Sequence, residues 1–241
     1  MLKVGCEGFS IGQDRYWRTF SFVEAKTGER MPRQATLAEW KAGAPRGAEF
    51  ALQAFRLITH GREDRGFPEA GKKLSRSRQD RCGAFRESLE ASEAWVSTKA
   101  AAEILDAKIV VFETPISFQP GPDSLRDMYR FFKAASRGRL TFVWHSRGAA
   151  WRTGLSERVC ADLGLLRAYD PLREAAPKHG TFRYLRSRGP RVGTLSVDEL
   201  STIRLAAQEA PSCLVLSHRD AYRDGVRLLE SIASHVSGRS R

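Results

Sequence analysis

The sequence predicts an α/β protein, a single (β/α)8 TIM-type barrel, from three observations. Eight short apolar, β-branched or aromatic runs have the length and composition of strands. Helical segments fall between most of these runs, and this alternation indicates βα units with a parallel sheet. The chain has 241 residues, and a closed barrel of eight such units typically uses about 250 residues.

The predicted strands are short apolar runs, most of which stop at a polar or charged residue. In chain order they are Leu2–Glu7, Phe20–Lys26, Glu49–Phe55, Ala107–Thr114, Leu140–His145, Leu165–Asp170, Thr181–Ser187 and Ser212–His218. Cys6 and Cys213 fall inside predicted strands, where we expect free thiols to pack as small hydrophobic side chains.

The predicted helices carry recognisable start signals. Ser196-Val197-Asp198-Glu199 has the spacing of a capping box, and Asp123 follows Gly121-Pro122 at a position suited to capping. We expect helices over Thr36–Lys41, Ala84–Asp106, Asp123–Arg137, Ser156–Leu163, Ser196–Glu209 and Tyr222–Val236.

Two segments interrupt the alternation of strands and helices. Gly61–Arg86 is a basic insertion after the third strand, and Arg173–Gly180 follows the sixth. Long loops after strand ends commonly carry function or form lids, but a disordered, solvated run of charges is the alternative for Gly71–Arg78. We expect residues 1–236 to form the single barrel domain and residues 237–241 a short flexible tail.

The composition argues against several classes of protein. No apolar run approaches the ~20 residues of a membrane helix, and the N-terminus lacks the pattern of a signal peptide, so we expect a cytoplasmic protein without membrane contact. The four cysteines include no C-x-x-C pair, which argues against a zinc ribbon, a redox pair or a cluster site. The chain also lacks a P-loop, a dinucleotide fingerprint, a nucleophile elbow and an H-E-x-x-H motif.

The formal net charge is +12 at pH 7, and most of the excess is arginine. A strongly basic balance attracts polyanions, and the planar guanidinium suits phosphate. The expected partner is therefore nucleic acid or a phosphorylated small molecule, and a general bias toward arginine on a solvated surface is the alternative. The sequence indicates neither a cofactor nor an oligomeric state.

Six strand-like runs end on a residue able to do chemistry. Those residues are Glu24, His60, Glu113, His145, Arg186 and His218. Because active sites of parallel barrels lie at the C-terminal ends of the strands, we expect these side chains to share one functional rim.

The histidines and glutamates at these strand ends are open to three interpretations. His60, His145 and His218 together with the two carboxylates have the donor types of a zinc, iron or manganese site. Glu24 and Glu113 are alternatively an acid/base pair whose environments separate their pKa values. Each residue is also able to form an ordinary hydrogen bond or ion pair, so the sequence leaves the presence and identity of a metal open.

Three arginines, Arg186, Arg188 and Arg191, surround Gly189-Pro190 just beyond the seventh predicted strand. Loops after the seventh and eighth strands of barrels frequently bind phosphate, and clustered arginines can hold phosphate oxygens in bidentate fashion. A basic turn in solvent is the alternative.

Ordered motifs along most of the chain resemble those of one family. They are Val4-Gly5-Cys6-Glu7-Gly8-Phe9, Phe22-Val23-Glu24, Trp40, Ala48–His60 ending in Ile58-Thr59-His60, Phe112–Phe118, Trp144-His145-Ser146-Arg147-Gly148 with Trp151, Tyr169-Asp170-Pro171, Arg186–Gly189 and Leu216-Ser217-His218. Their order and spacing resemble the YecE-like family, most closely its archaeal-type branch, from Val4 to Ile232. The resemblance implies a TIM-barrel-type domain of unknown function.

The chain departs from the family pattern mostly at the predicted rim. Glu113 stands where the family has glutamine, His145 where it has glutamate, Arg188 where it has histidine, and Ser217-His218 where it has two asparagines. The resemblance also implies a barrel similar in outline to the AP endonuclease and xylose isomerase group, and hence phosphate or nucleic-acid ligands by analogy of fold. The replaced residues imply altered or lost chemistry.

We therefore expect a protein that binds a phosphate-containing ligand or nucleic acid at the C-terminal rim, with phosphoester hydrolysis as the expected reaction if it is an enzyme. The expected catalytic residues are Glu24, Glu113 and His145, with Glu113 or His145 as general base. The expected ligand-binding residues are His60, Arg147, Arg186, Arg188 and His218. The alternatives are a metal-dependent isomerase or hydrolase of sugars or phosphosugars, and a non-catalytic binding protein on a degenerate barrel.

Overall fold

The structure, a computed structural model, describes residues 2–151, 153–178, 180–190 and 192–238. Within these residues it contains eight strands, each overlapping a predicted one. They are β1 (Leu2–Cys6), β2 (Phe22–Ala25), β3 (Glu49–Gln53), β4 (Ile109–Thr114), β5 (Thr141–Ser146), β6 (Leu166–Tyr169), β7 (Arg183–Ser187) and β8 (Ser212–Leu216). All eight predicted strands are therefore confirmed, with changes at their ends.

The strands form one sheet in the order β1-β8-β7-β6-β5-β4-β3-β2. The pairs β1–β8, β3–β4, β4–β5, β5–β6, β6–β7 and β7–β8 are parallel. An isolated parallel bridge joins Glu7, just after β1, to Glu24 in β2. Neighbouring strands are thus consecutive in the chain apart from β1 with β8, and the predicted (β/α)8 TIM-type barrel is confirmed.

The helices of the described residues include every predicted one. They are α1 (Gln13–Trp17), α2 (Gln34–Ala42), α3 (Glu69–Lys72), α4 (Arg76–Gln79), α5 (Leu89–Leu105), α6 (Pro122–Ala134), α7 (Thr153–Leu163), α8 (Val197–Gln208) and α9 (Ala221–Gly238). The short helices α1, α3 and α4 are not predicted by the sequence pattern. Helix α9 includes the first residues of the predicted tail, and residues 239–241 lie outside the described ones. None of the described helices has the length and apolar character needed to cross a bilayer.

Helix α5 begins at Leu89 rather than at Ala84, where the sequence predicts its start. Ala84 and Phe85 have positive φ angles of 53° and 58°, and a left-handed backbone cannot begin a right-handed helix. The helix is instead capped by Ser88, whose side chain accepts a hydrogen bond from Ala91 N–H.

Two predicted helix caps have different outcomes. Ser196 and Glu199 form the predicted capping box of α8, with backbone-to-side-chain distances of 2.8 and 3.2 Å. The prediction that Asp123 caps α6 is wrong, because Gly121 occupies the cap position and Pro122 begins the helix. Proline suits the first helical position, where an N–H would lack an intrahelical partner. Asp123 lies in the first turn, where a negative charge favours the helix dipole.

His60 does not end a strand, and this part of the prediction is wrong. Strand β3 ends at Gln53, and residues 56–59 form a turn. The N–H of His60 donates to the carbonyl oxygen of Arg56 at 2.7 Å. The β-branched run before His60 therefore satisfies part of its backbone locally rather than in the sheet.

The basic insertion Gly61–Arg86 is folded and is not a disordered run of charges. It contains α3 and α4, and near its end Gly83 N–H donates at 2.8 Å to a carbonyl of the turn after β3. Arg78 Nε and Arg81 Nη2 lie 2.7 and 2.9 Å from the buried carboxylate of Glu90. These contacts make the insertion a fixed part of the fold.

The chain divides into two compact units. The first comprises Met1–Glu24, Gly43–Glu49 and Ala168–Arg241, and the second comprises Ala25–Ala42 and Phe50–Arg167. A single domain over residues 1–236 remains a prediction.

Each unit has its own set of contacts around its strands. In the second unit the aromatic rings lie 4.9 to 6.4 Å apart, between centroids, in one cluster. The cluster consists of Phe85, Trp95, Phe112, Phe131, Phe132 and Phe142. In the first unit the buried Tyr16 hydroxyl donates to the Phe22 carbonyl oxygen and accepts from Cys6 N–H, each at 2.8 Å, and so links β1 to β2. Cys6 and Cys213 are buried free thiols, in agreement with their predicted packing role.

Candidate functional site

The carboxylate of Glu113, in β4, is the centre of the candidate site in the second unit. Its Oε1 lies 3.2 Å from Arg56 Nη2 and 3.4 Å from Arg147 Nη1, and its Oε2 lies 3.4 Å from His145 Nδ1. Glu113 and His145 are direct partners in the register of β4 and β5, and partners on adjacent strands present their side chains on the same face. The structure therefore brings three predicted site residues together.

Arg147 differs from the other members of this cluster in its exposure to solvent. The side chains of Arg56 and Glu113 are each 9% exposed and that of His145 is 4% exposed, whereas 34% of the Arg147 side chain is exposed. A buried carboxylate needs opposite charge or hydrogen bonds, and Arg56 supplies such a charge from a buried position. Among these four side chains, Arg147 is the cation that a ligand can reach.

Arg56 is not among the predicted site residues. Its N–H donates to the Gly28 carbonyl oxygen at 2.8 Å, and its guanidinium also pairs with Glu29. Arg56 directly follows the predicted strand Glu49–Phe55, and a charge directly after an apolar run is a signal that would have identified it. The strand-like run that follows, which ends at His60, obscures this signal.

His60 lies beside the cluster and is 1% exposed. Burial, followed by the charge of Arg56, lowers the pKa of His60 from 6.5 to about 4, although the charges of Glu113 and Asp64 oppose this shift. The ring is therefore neutral at pH 7, and its Nδ1 lies 2.8 Å from the Thr59 hydroxyl. A neutral imidazole can donate or accept a hydrogen bond with a ligand, but it offers no positive charge to attract a phosphate.

Glu24 and Arg186 form a buried ion pair in the first unit. Arg186 Nη2 donates to Glu24 Oε1 at 2.7 Å, and the Tyr184 hydroxyl donates to Glu24 Oε2 at 2.7 Å. Arg186 Nη2 also lies 3.6 Å from Glu7 Oε1. Burial, followed by the charge of Glu24, raises the pKa of Tyr184 well above its usual value, so its hydroxyl remains a donor. The expected catalytic and ligand-binding residues do not include Tyr184, although it stands two residues before Arg186 and so shares its face of β7.

His218 packs against Gly189, the residue that follows Arg188. A Cβ at position 189 would lie 2.7 Å from His218 Cγ, so glycine leaves the room that the ring needs. His218 Nε2 lies 2.8 Å from Asp224 Oδ2, and the backbone N–H of Arg188 donates to Asp170 Oδ2 at 3.3 Å. Both predicted ligand-binding residues therefore have partners within the first unit.

The predicted site residues thus form separate groups within the units. In the second unit Glu113 contacts His145 and Arg147, and the charges of Glu113 and Arg147 act on the pKa of His60. Arg191 of the predicted phosphate loop lies outside the described residues. Over the part of the chain that the structure describes, no group of three or more His, Cys, Asp or Glu side chains is arranged to hold a metal ion.

Solved structures with a similar fold include two proteins of the DUF72 family. The one from Thermotoga maritima has a TM-score of 0.69 at 14% identity and covers 97% of this chain and 99% of that chain. The one from Enterococcus faecalis has a TM-score of 0.66 at 14% identity and covers 97% and 98%. An AP endonuclease of family 2 from Brucella melitensis has a TM-score of 0.53 at 11% identity and covers 90% and 92%. At these identities the likeness shows the fold alone.

None of the curated proteins compared with this chain matches it. The family model described as "Protein of unknown function DUF72" matches residues 14–237. This match spans every strand except β1 and therefore includes Glu113, His145 and Arg147. The chain belongs to the DUF72 family, which is the YecE-like family that its motifs resemble.

Proposed function

We propose that the protein binds a phosphate-containing ligand at the cluster around Glu113, with Arg147 as the phosphate contact. The position of the Arg147 guanidinium carries this proposal: it is 34% exposed and lies 3.4 Å from a buried carboxylate that Arg56 also contacts. Because Arg56 offsets the charge of Glu113, a phosphate can engage Arg147 without leaving the carboxylate unpaired. Guanidinium groups hold phosphate oxygens through parallel hydrogen bonds.

The proposed reaction is hydrolysis of a phosphoester, with His145 or Glu113 as general base. The base takes a proton from a water molecule while the water oxygen attacks phosphorus and the bond from phosphorus to the ester oxygen breaks. The ester oxygen leaves with the electron pair of that bond and takes up a proton from solvent, so the products are an alcohol and a phosphate with one ester bond fewer. The distance of 3.4 Å between His145 Nδ1 and Glu113 Oε2 supports a division of roles in which one group orients the other. His60, neutral at pH 7, is proposed to hydrogen-bond the ligand.

The residues proposed in the first unit have unequal support. Glu24 and Arg186 are buried together, with 2.7 Å between Oε1 and Nη2. A phosphate at Arg186 would compete with Glu24 for the same guanidinium, which favours a positioning role for the pair over direct ligand contact. Arg188 and His218 remain proposed ligand contacts.

Nucleic acid and a phosphorylated small molecule are the two proposed sources of the phosphate. The net charge of +12 supports a polyanionic partner, because lysine and arginine that neutralise phosphates release counterions. The likeness to the AP endonuclease from Brucella melitensis supports the same class of ligand only by analogy of fold.

The described residues fit a metal-dependent isomerase or hydrolase poorly. Glu113 Oε1 lies within 3.4 Å of two guanidinium groups, and Glu24 Oε1 lies 2.7 Å from one. These positive charges oppose the binding of a cation at the same oxygens.

Titration with oligonucleotides and with inorganic phosphate at several salt concentrations tests the proposal. We expect single- or double-stranded DNA or RNA to bind with an affinity that falls steeply as salt rises. Arg147→Gln should weaken binding and reduce the slope of log affinity against log salt by about 1. Arg130→Gln is the matched control, because Arg130 is 58% exposed and also lies 3.4 Å from a carboxylate, that of Glu87.

Two results of this titration would contradict the proposal. One is the absence of binding to every oligonucleotide and to phosphate at low salt. The other is an equal loss of affinity in Arg147→Gln and Arg130→Gln, which would indicate a diffuse effect of charge. A search for turnover with phosphate monoesters and diesters then separates an enzyme from a binding protein, because Glu113→Gln or His145→Gln should abolish turnover while binding persists.

A further inference from the structure

A polar cleft lies in the second unit, between the insertion and the segment that follows β4. Its volume is about 260 Å3, below the ~300 Å3 at which sites for drug-sized ligands begin, so it suits one small group. Asp64 and Arg86 of the insertion line one side, and Ser117, Gln119 and Ser124 line the other. The insertion therefore forms one wall of the cleft.

Asp64 gives this cleft a hydrogen-bond acceptor that is already oriented. Its Oδ2 accepts the N–H of Gly61 at 2.7 Å, and its Oδ1 accepts the hydroxyl of Ser117. An ionised carboxylate has about four acceptor positions. The two bonds therefore fix the carboxylate and leave acceptor positions for hydroxyl groups of a ligand.

The other polar side chains of the cleft provide donors and a further acceptor. Arg86 is exposed and donates from Nη1 to the Cys82 carbonyl oxygen at 2.6 Å, and a guanidinium carries further N–H donors. The Ser124 hydroxyl donates to the Gln119 carbonyl oxygen at 2.8 Å, so its own oxygen can accept. A carboxylate, a guanidinium and hydroxyl groups around a small space match a ligand with several hydroxyl groups, such as a sugar.

Two observations link Arg147 to the residues that line this cleft. The charges of Asp64 and Arg147 both act on the pKa of His60, whose chain neighbours line the cleft. Gly148, which follows Arg147, packs on the segment after β4, since a Cβ at position 148 would lie 3.4 Å from the Phe118 carbonyl oxygen. Both observations are consistent with one ligand whose phosphate contacts Arg147 and whose next chemical group enters the cleft.

We infer that the cleft binds the sugar of a phosphorylated monosaccharide, with Asp64 accepting hydrogen bonds from adjacent hydroxyl groups and Arg147 holding the phosphate. The phosphate contact rests on the function proposed above, whereas the sugar site rests on the cleft itself. The small volume favours a free sugar phosphate over a longer nucleic-acid segment within the cleft.

Calorimetric titration of the full chain with ribose 5-phosphate and with n-pentyl phosphate tests this inference. The two probes carry the same phosphate, and only the first carries adjacent hydroxyl groups. We expect ribose 5-phosphate to bind at least about tenfold more tightly, the effect of one hydrogen bond to a charged group. Asp64→Asn should remove this preference and leave the affinity for n-pentyl phosphate unchanged.

Two further variants keep the result interpretable. Asp80→Asn is the matched control, because Asp80 lies in the same insertion but is 52% exposed and pairs with Arg62 at 2.6 Å; the preference should survive. If Asp64→Asn fails to fold, Arg86→Gln is the substitute variant. It should weaken the binding of ribose 5-phosphate more than the binding of n-pentyl phosphate.

The outcomes separate the sugar site from the phosphate contact. Equal, Arg147-dependent affinities for both probes would overturn the sugar site and leave the proposed function standing. Binding of ribose alone, observed by saturation-transfer NMR and lost in Asp64→Asn, would support the sugar site even if no phosphate compound binds. No binding of ribose, ribose 5-phosphate or n-pentyl phosphate would overturn the inference.

Discussion

Arg186 Nη2 lies 2.7 Å from Glu24 Oε1, and the two side chains are 2% and 0% exposed. Within the first unit the Tyr184 hydroxyl donates to the second oxygen of the same carboxylate at 2.7 Å. Charges buried this deeply persist as a pair, because each alone carries a desolvation cost of several kcal/mol. We therefore expect the main effect of this ion pair to be on stability, through β2 and β7, the strands that carry Glu24 and Arg186.

Replacing Glu24 with glutamine is expected to lower the free energy of unfolding by about 3–5 kcal/mol, because Arg186 is left as a buried, uncompensated charge. Urea denaturation followed by circular dichroism measures the loss. Glu49→Gln is the matched control: Glu49 Oε1 lies 2.6 Å from Lys3 Nζ, but their side chains are 30% and 26% exposed. We expect that partly exposed pair to contribute about 1 kcal/mol or less, and similar losses in the two variants would contradict the assignment.

We expect His60 to make the stability of the protein depend on pH. Its pKa is about 4 in the folded chain, compared with the ordinary value of 6.5, so between these values the unfolded chain takes up a proton that the folded chain does not. Stability should therefore fall as the pH falls from 6.5 to 4, by up to ~3 kcal/mol from this residue alone. The measurement is the free energy of unfolding at several pH values for the natural chain and for His60→Gln.

In the His60→Gln variant the decrease of stability with acidification should be shallower over this range. The comparison concerns the slope, because the substitution also changes packing and the hydrogen bond to Thr59. Carboxylates titrate in both proteins and so cancel in the difference between slopes. Parallel curves from pH 6.5 to 4 would show that His60 is not held neutral by its surroundings.

The strands are predictable because buried parallel strands are continuous apolar runs. All six residues of β4, Ile109–Thr114, are buried, and this run is evident in the sequence. The start of α5 is not predictable in the same way. Phe85 adopts a left-handed φ of 58°, which bulky residues avoid, so contacts made after folding, such as that of its N–H with the Ile58 carbonyl oxygen at 2.9 Å, determine its conformation.

The candidate site is predictable only where strands carry it. Glu113 and His145 follow from the strand ends and meet because β4 and β5 are in register. Arg56 belongs to a turn and Asp64 to the insertion. Hydrophobic periodicity predicts strands and helices, but it does not predict where turns and insertions lie in the fold. The archaeal-type likeness and the cytoplasmic location remain predictions.

The folded state of the insertion should depend on Glu90. Its buried carboxylate contacts Arg78 at 2.7 Å and Arg81 at 2.9 Å, so Glu90→Gln removes the charge that holds both arginines. We expect faster cleavage by trypsin at arginines of the insertion, measured by mass spectrometry. Glu93→Gln is the control, because Glu93 is 60% exposed and lies 3.3 Å from Arg78; equal cleavage rates in the two variants would contradict the role of Glu90.

The insertion also depends on a close approach between Gly83 and His60. Gly83 has a φ of 82°, and a Cβ at this position would lie 2.7 Å from the His60 carbonyl oxygen and collide with the neighbouring backbone atoms. Gly47 has a nearly equal φ of 87°, but a Cβ at position 47 would meet no atom of the described residues within 4 Å. Comparing alanine substitutions at the two glycines therefore separates the cost of a side chain in a left-handed conformation from the cost of its collision with neighbouring atoms.

Alanine at position 47 should lower the free energy of unfolding by about 1 kcal/mol, because a left-handed conformation disfavours a side chain. Gly83→Ala should cost several times more, because the turn that carries His60 must move as well. Thermal unfolding of both variants measures the difference, and ligand binding should weaken in Gly83→Ala alone if His60 contacts the ligand. Equal losses of stability in Gly83→Ala and Gly47→Ala would show that the turn shifts at little cost. The packing of Gly83 would then not determine the position of His60.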